Sequence, residues 1–241
     1  MSAEREKSKI LIVIPARGGS VGVPRKNIRI LNGIPLIAYS IQAALDCKYC
    51  LDVIVSTDDE EIADIAQGYG AKIPFLRPKD ISGSKTTLIL VSKHALEYYE
   101  EKDVHYDAIL SLQPTAPLIS AKTIDKVVEK YLTTDATSVI TVSEFTAGHP
   151  YAAKRIADDG GITDFVKIPE GAVTFPRQKR EKAYYVNGAV YLREADLIKE
   201  YVSGGWQLGD TPLAVIMDEY ESVDINNEFD FKAAEFLLSS R

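Results

Sequence analysis

Cysteine is scarce in this 241-residue chain: Cys47 and Cys50 are the two it has, too few for a disulfide framework at this length. They form a Cys-x-x-Cys pair, but no second pair follows and the three histidines, His94, His105 and His149, stand apart, so a four-ligand zinc site lacks material. Two thiols near a helix end is the simpler reading, with metal or redox work as its alternative. Positive charge is also in deficit. A net charge of -7 offers no field for a polyanion, which argues against nucleic acid as a partner and means that any phosphate must be gripped locally. Long apolar runs are missing too. No stretch approaches the ~20 apolar residues of a membrane span, and Met1 to Lys9 is polar where a secretory signal would be apolar. These absences predict a cytoplasmic protein with no membrane partner.

What is present is a repeating alternation of apolar runs and amphipathic stretches. Ile10 to Pro15 is the pattern of a strand buried on both faces of a parallel sheet. Pro35 then sets the first turn of a helix through Leu36, Ile37, Ile41, Ala44 and Leu45. A strand at Asp52 to Ser56 follows, and a helix capped by Asp58 or Asp59 runs to Tyr69 and stops at Gly70. The same rhythm predicts a short strand through Ile73 to Leu76, a helix over Thr87 to Glu101, a strand over Ala108 to Leu112, a helix capped by Ser120 and a strand over Ser138 to Val142. Strands are expected again at Ala189 to Leu192 and Leu213 to Met217, and a last helix near Glu228. Between residues 143 and 183 the rhythm fails, at His149-Pro150, at Asp158-Asp159-Gly160-Gly161 and at a basic run from Arg177 to Lys182. The expected organisation is an α/β catalytic domain built from residues 1–142 and 184–241, interrupted by a small insertion at 143–183.

Chemistry concentrates between the first strand and the first helix, in Pro15-Ala16-Arg17-Gly18-Gly19-Ser20-Val21-Gly22-Val23-Pro24-Arg25-Lys26-Asn27. Gly18, Gly19, Gly22 and Ser20 let backbone N–H groups turn toward an anion, and Arg17, Arg25 and Lys26 supply the neutralising charge. The spacing is neither Gly-x-Gly-x-x-Gly nor a Walker loop, so dinucleotide binding and ordinary NTPase action lose support. Ligands of an open parallel sheet sit at the carboxyl ends of its strands, where this loop falls.

With Arg17, Ser20, Gly22, Lys26, Asn27, Asn32, Gly33, Pro35 and Leu36 in order, the chain resembles the acylneuraminate cytidylyltransferases, or CMP-sialic acid synthetases. Further matches are Val55-Ser56-Thr57-Asp58, Arg77-Pro78, Leu112-Gln113-Pro114-Thr115-Ala116-Pro117, Pro176-Arg177-Gln178, Asn187-Gly188-Ala189 and Ser222-Val223-Asp224-Ile225. The resemblance implies a Rossmann-like, mostly parallel sheet flanked by helices, with the insertion serving as a dimerisation subdomain of a homodimer. It implies that a sugar acid's anomeric hydroxyl attacks the α-phosphorus of CTP and that pyrophosphate leaves. Arg17, Gly18, Ser20, Gly22 and Lys26 would then hold the triphosphate, with Asn27 and Arg77 near the ribose and cytosine. Gln113, Arg177, Gln178, Tyr185 and Asn187 would face the sugar. Charge crowding at phosphorus calls for cations rather than a covalent intermediate, so the lack of a Ser-His-Asp or Cys-His set is expected.

The same resemblance implies Mg2+ held near the C-terminus. Asp224 and Asn226 are two apart in an extended segment, so both face one side while Val223 and Ile225 face the other. Relatives commonly carry Asp-x-Asp there; with Asn226 the charge falls to Asp224. Two more departures are Val21, where relatives often have lysine, and Tyr185, where they usually place an arginine able to pair with a carboxylate. They keep open a related transferase for another acidic sugar or another NTP, while Asn226 keeps open a non-catalytic nucleotide-binding homologue. Thr57 and Asp58 read equally as helix cap or as neighbours of the nucleotide.

Overall fold

Six strands form one sheet in the order β10-β6-β9-β5-β1-β4. In the chain these are β1 (Ile10–Pro15), β4 (Asp52–Ser56), β5 (Ala108–Leu112), β6 (Ser138–Glu144), β9 (Tyr184–Glu194) and β10 (Pro212–Ile216). The computed structural model describes residues 8–20, 22–49 and 51–240, with the backbone alone at residue 177. Expectations attached to Val21, Cys50 and the Arg177 side chain lie outside the described residues. Pairing is parallel between β1 and both β4 and β5, and between β6 and β10. The eleven-residue β9 runs antiparallel to β5 and β6, so the sheet is mostly parallel with one reversed strand inside it.

β1 has no solvated face, which is why its sequence shows no polar alternation. Ile10, Ile12 and Ile14 pack into the larger core, with α1 (Leu36–Leu45), α2 (Glu60–Gly68) and α4 (Ala121–Thr133) supplying Ile37, Ile62 and Ile124. Leu11 and Val13 point the other way, toward Leu96 of α3 (Leu88–Glu100) and Ile198 of α5 (Ala195–Lys199). Side chains alternate across a strand, so one six-residue run serves both halves of an α/β/α sandwich. Helix starts follow the expected chemistry: Asp59 accepts from the Ile62 N–H and Ser120 from the Thr123 N–H.

The strand expected at Ile73 to Leu76 does not form. The segment touches β4 through isolated bridges at Ile54–Lys72 and Thr57–Leu76, and Pro74 between them has no N–H for a ladder. β9 begins at Tyr184, five residues before its expected start, because Tyr184 to Val186 pair with Glu144 to Val142 at the foot of the insertion. Within the insertion, β7 (Lys154–Ile156) and β8 (Ile162–Asp164) pair only with each other, as a small antiparallel hairpin outside the main sheet. Two further short strands, β2 (Ile30–Leu31) and β3 (Ile34–Pro35), close the turn before α1. Cys47 is buried and its Sγ lies 3.1 Å from an Asp125 carboxylate oxygen, consistent with a packed thiol at a helix end. No helix among the described residues is long and apolar enough to cross a membrane.

Candidate active site

The carboxyl ends of β1 and β5 open onto a cavity of about 480 Å3. Arg17, Ser20, Gly22, Lys26 and Asn27 line it from the loop after β1, Arg77 from the segment beside β4, and Gln113 from the end of β5. Asp224 and Asn226 complete the wall from the segment before α6 (Glu228–Ser239). Nine of the residues singled out in the sequence thus meet at one place.

The loop is shaped by contacts that exclude side chains. A Cβ on Gly22 would stand 2.0 Å from the Asn226 carbonyl oxygen, and one on Gly18 would stand 2.6 Å from Asp59 Oδ2. Backbone cannot retreat as a flexible side chain can, so Gly22→Ala is expected to lower Tm by several degrees, corresponding to roughly 1–3 kcal/mol of overpacking, and to cut turnover about tenfold. A melting curve matching wild type would show that the approach is not tight. Asn27 is buried and its Nδ2 donates to the Arg17 carbonyl at 3.0 Å, bracing the turn from within. Arg25, named in the sequence as a loop cation, is absent from the cavity lining. It takes a left-handed backbone conformation (φ 52°) and turns its guanidinium to Asp59 and Glu61, tying the loop to the start of α2.

Lys26 Nζ donates to the Ile225 carbonyl at 2.6 Å, joining the loop to the C-terminal segment. Burial pushes its pKa below the ordinary lysine value; Asp224 opposes that shift and Arg17 adds to it. Arg77 is 5% exposed, and burial likewise lowers its pKa, with Asp58 opposing. Its Nε donates to Ser82 Oγ at 3.2 Å. The Arg17, Lys26 and Arg77 cations face one cavity carboxylate, Asp224, so the pocket is locally cationic in an acidic protein. Its chemistry suits an anion of several charges.

In the Asp224 segment Ile225 is buried and its N–H donates to the Thr115 carbonyl at 2.8 Å. Asn226 Nδ2 donates to Asp224 Oδ2 at 2.7 Å, so both side chains lie on one side. Helix α6 is capped by Asn227, in a reciprocal box with Asp230, leaving the Asp224 carboxylate outside the cap. Among the described residues no group of three or more His, Cys, Asp or Glu could enclose a metal ion. A single carboxylate in a cavity lined by Arg17, Lys26 and Arg77 nevertheless fits Mg2+, which keeps several waters and takes one or two carboxylates plus phosphate oxygens.

Other expected contacts lie elsewhere. Gly18 turns its N–H to Asp58 Oδ1 at 3.0 Å. Gln178 lines a second hollow, of about 650 Å3, with His149, Arg180 and Lys182 at the root of the insertion. Tyr185 packs on Phe145 with ring centroids 5.0 Å apart. Asn187, grouped in the sequence with sugar contacts, spends its amide in the core: Nδ2 donates to Ser143 Oγ at 2.9 Å and approaches Met217 Sδ, while Oδ1 accepts from Thr141 Oγ1 at 2.7 Å. Its buried position leaves no amide group for a ligand. Conversely, the sequence did not single out Ile81, Gly83, Ser84 and Thr86, which also line the cavity. The hydroxyl-rich run after Arg77-Pro78 was the available signal.

A model of the family described as Cytidylyltransferase matches residues 11–218. The chain is 35% identical to the CMP-N,N'-diacetyllegionaminic acid synthase of Legionella pneumophila, over 95% of this chain and 96% of that one. It is 39% identical to a pseudaminic acid cytidylyltransferase of Campylobacter jejuni, over 76% of this chain and 77% of that one. A structure of CMP:2-keto-3-deoxy-manno-octonic acid synthetase complexed with CTP superposes with a TM-score of 0.71, covering 97% of this chain and 99% of that one; at 16% identity this likeness speaks to fold alone. The family match takes in most of the chain, which belongs to the cytidylyltransferase family.

Proposed function

We propose that this protein transfers CMP from CTP to the anomeric hydroxyl of a nonulosonic acid, releasing pyrophosphate. The observation that carries this reading is the convergence of Arg17, Lys26 and Arg77 with Asp224 in one cavity at the carboxyl ends of the strands. The anomeric oxygen forms a bond to the α-phosphorus, the bond from that phosphorus to the bridging oxygen breaks, and the hydroxyl proton leaves to solvent. Arg17 and Lys26 hold the triphosphate and offset charge building on the departing pyrophosphate. Arg77, fixed by burial and Ser82, supports the base and ribose end, and Ser20 and Gly22 line the cavity from the loop. Gln113 lines the cavity from the end of β5, where the sugar would enter, its Nε2 donating to the Gly188 carbonyl at 2.7 Å. Asp224, with Asn226 beside it, would hold Mg2+, which when bound draws charge from the phosphate oxygens and aligns them.

The relatives' names supply the sugar class, legionaminic and pseudaminic acids among them. The reading extends to a homodimer in the cytoplasm, where CTP is available. Ile156, Ile162, Phe165 and Phe175 are exposed on the insertion, and a partner copy would cover such apolar surface; light scattering at about twice 26.6 kDa would check it.

Incubating the protein with magnesium, each of four NTPs and a panel of 2-keto sugar acids tests the function through pyrophosphate release. A signal specific to CTP and a nine-carbon acid is expected. Release with another nucleotide would redirect the assignment to a related transferase, and nucleotide binding without release from any pair would make the protein non-catalytic.

A further inference from the structure

The corner between β4 and α2 carries two consecutive aspartates, and the fold gives them different partners. Asp59 caps α2 and pairs with Arg25. Asp58 takes no part in that cap. Its Oδ1 accepts the Gly18 N–H at 3.0 Å and stands 3.9 Å from an Arg77 terminal nitrogen. Among the described residues it is the one carboxylate within ion-pair range of that guanidinium. Asp58 does not line the cavity, whereas Arg77 does, and the loop that Gly18 belongs to does.

We infer that Asp58 is a positioning residue for nucleotide binding: one carboxylate oxygen sets the phosphate loop, through Gly18, and the buried Arg77 guanidinium at a fixed separation. This rests on the reading of the cavity as the CTP site. The physical case is short. A buried guanidinium without a counter-charge is costly, so a carboxylate behind it lowers that cost and adds to the hold that Ser82 already has on it. The same oxygen satisfies a loop N–H that would otherwise be free to turn, so the two anion-binding arms move as one piece. Pre-organisation of this kind acts on affinity more than on the bond-making step.

The test uses the full chain with CTP, magnesium and the sugar acid that supports turnover. Asp58→Asn keeps an oxygen for Gly18 and removes the charge facing Arg77. It is expected to raise KM for CTP about tenfold, the effect of removing an opposite charge 3.9 Å from a buried guanidinium, with kcat within about threefold of wild type. Because Asp58 works through Arg77, combining it with Arg77→Lys should raise KM little beyond Arg77→Lys alone, which a merely structural role would not produce. Asp58→Ala should also speed hydrogen exchange at the Gly18 amide in the absence of nucleotide, a readout independent of turnover. An active wild type whose Asp58→Asn variant has the same KM, effects that multiply in the double variant, or unaltered Gly18 exchange would each overturn the role of Asp58 alone. A wild type that releases no pyrophosphate from CTP overturns the reading of the cavity and this inference with it.

Discussion

Replacing Lys26 with alanine is expected to lower kcat/KM for CTP by about 10^2- to 10^3-fold, the usual loss for one group aimed at developing charge in a water-poor site, while the protein still melts cooperatively. Pyrophosphate release and a thermal melt measure the two halves of that statement. The separation follows from what the ammonium does without ligand. It is partly buried, beside Arg17, with a backbone carbonyl as hydrogen-bond partner and the Asp224 and Asp230 carboxylates nearby, and burial lowers its pKa. A lysine whose folded pKa lies below its unfolded value of 10.5 is harder to charge in the fold, so stability rises with pH in the alkaline window between the two values, and the full penalty is present at neutral pH. Lys26→Met, which keeps the stem and removes the charge, should therefore melt at or above the wild-type temperature and be as inactive as the alanine variant. A variant that turns over normally would remove Lys26 from the triphosphate site.

Removing divalent ions with EDTA should abolish activity, and added Mg2+ should restore it. In Asp224→Asn the restoration should need more than about tenfold higher Mg2+, since the cavity's acidic ligand has lost its charge. The substitution is nearly isosteric and keeps an oxygen for the Asn226 amide, so the melting temperature should move little. Asn226→Asp makes the complementary case: a second carboxylate at that position should lower the Mg2+ requirement. Activity that persists in EDTA would leave Asp224 without the role given to it.

Much of this could be read from the chain because its determinants are local. A strand buried on both faces announces itself by unbroken β-branched residues, as Ile10 to Pro15 does, and a loop of glycines and cations after such a strand has few other uses. The Asp224-Ile225-Asn226 segment was legible for the same reason, since alternation puts Ile225 inward, where it is buried, and leaves Asp224 and Asn226 together. What escaped was pairwise and distant. β9 lies reversed between β5 and β6, which no feature of its own sequence dictates. Asp58 and Asp59 are adjacent and chemically identical, and which one caps α2 depends on Arg25 and Gly18, far away in the chain. Asn187 sits in a motif that resembles a substrate contact, yet the register of β6 against β9 turns its amide inward to Thr141 and Ser143. Ile73 to Leu76 looked like a strand because apolar content outweighed Pro74, whose missing N–H decided the matter.

The contact of Lys26 with Ile225 spans nearly the whole chain, and it has a thermodynamic sequel. Ile225 packs with Val23, Leu31, Leu36, Phe231 and Ala234 in a cluster separate from the two that flank the sheet. Small clusters of this kind breathe at a free energy below that of global unfolding. The Ile225 amide is therefore expected to exchange its hydrogen ahead of those in β1, which lies between two larger clusters. A triphosphate that touches both walls seals this seam, so occupancy should tighten the tail of the molecule more than its centre.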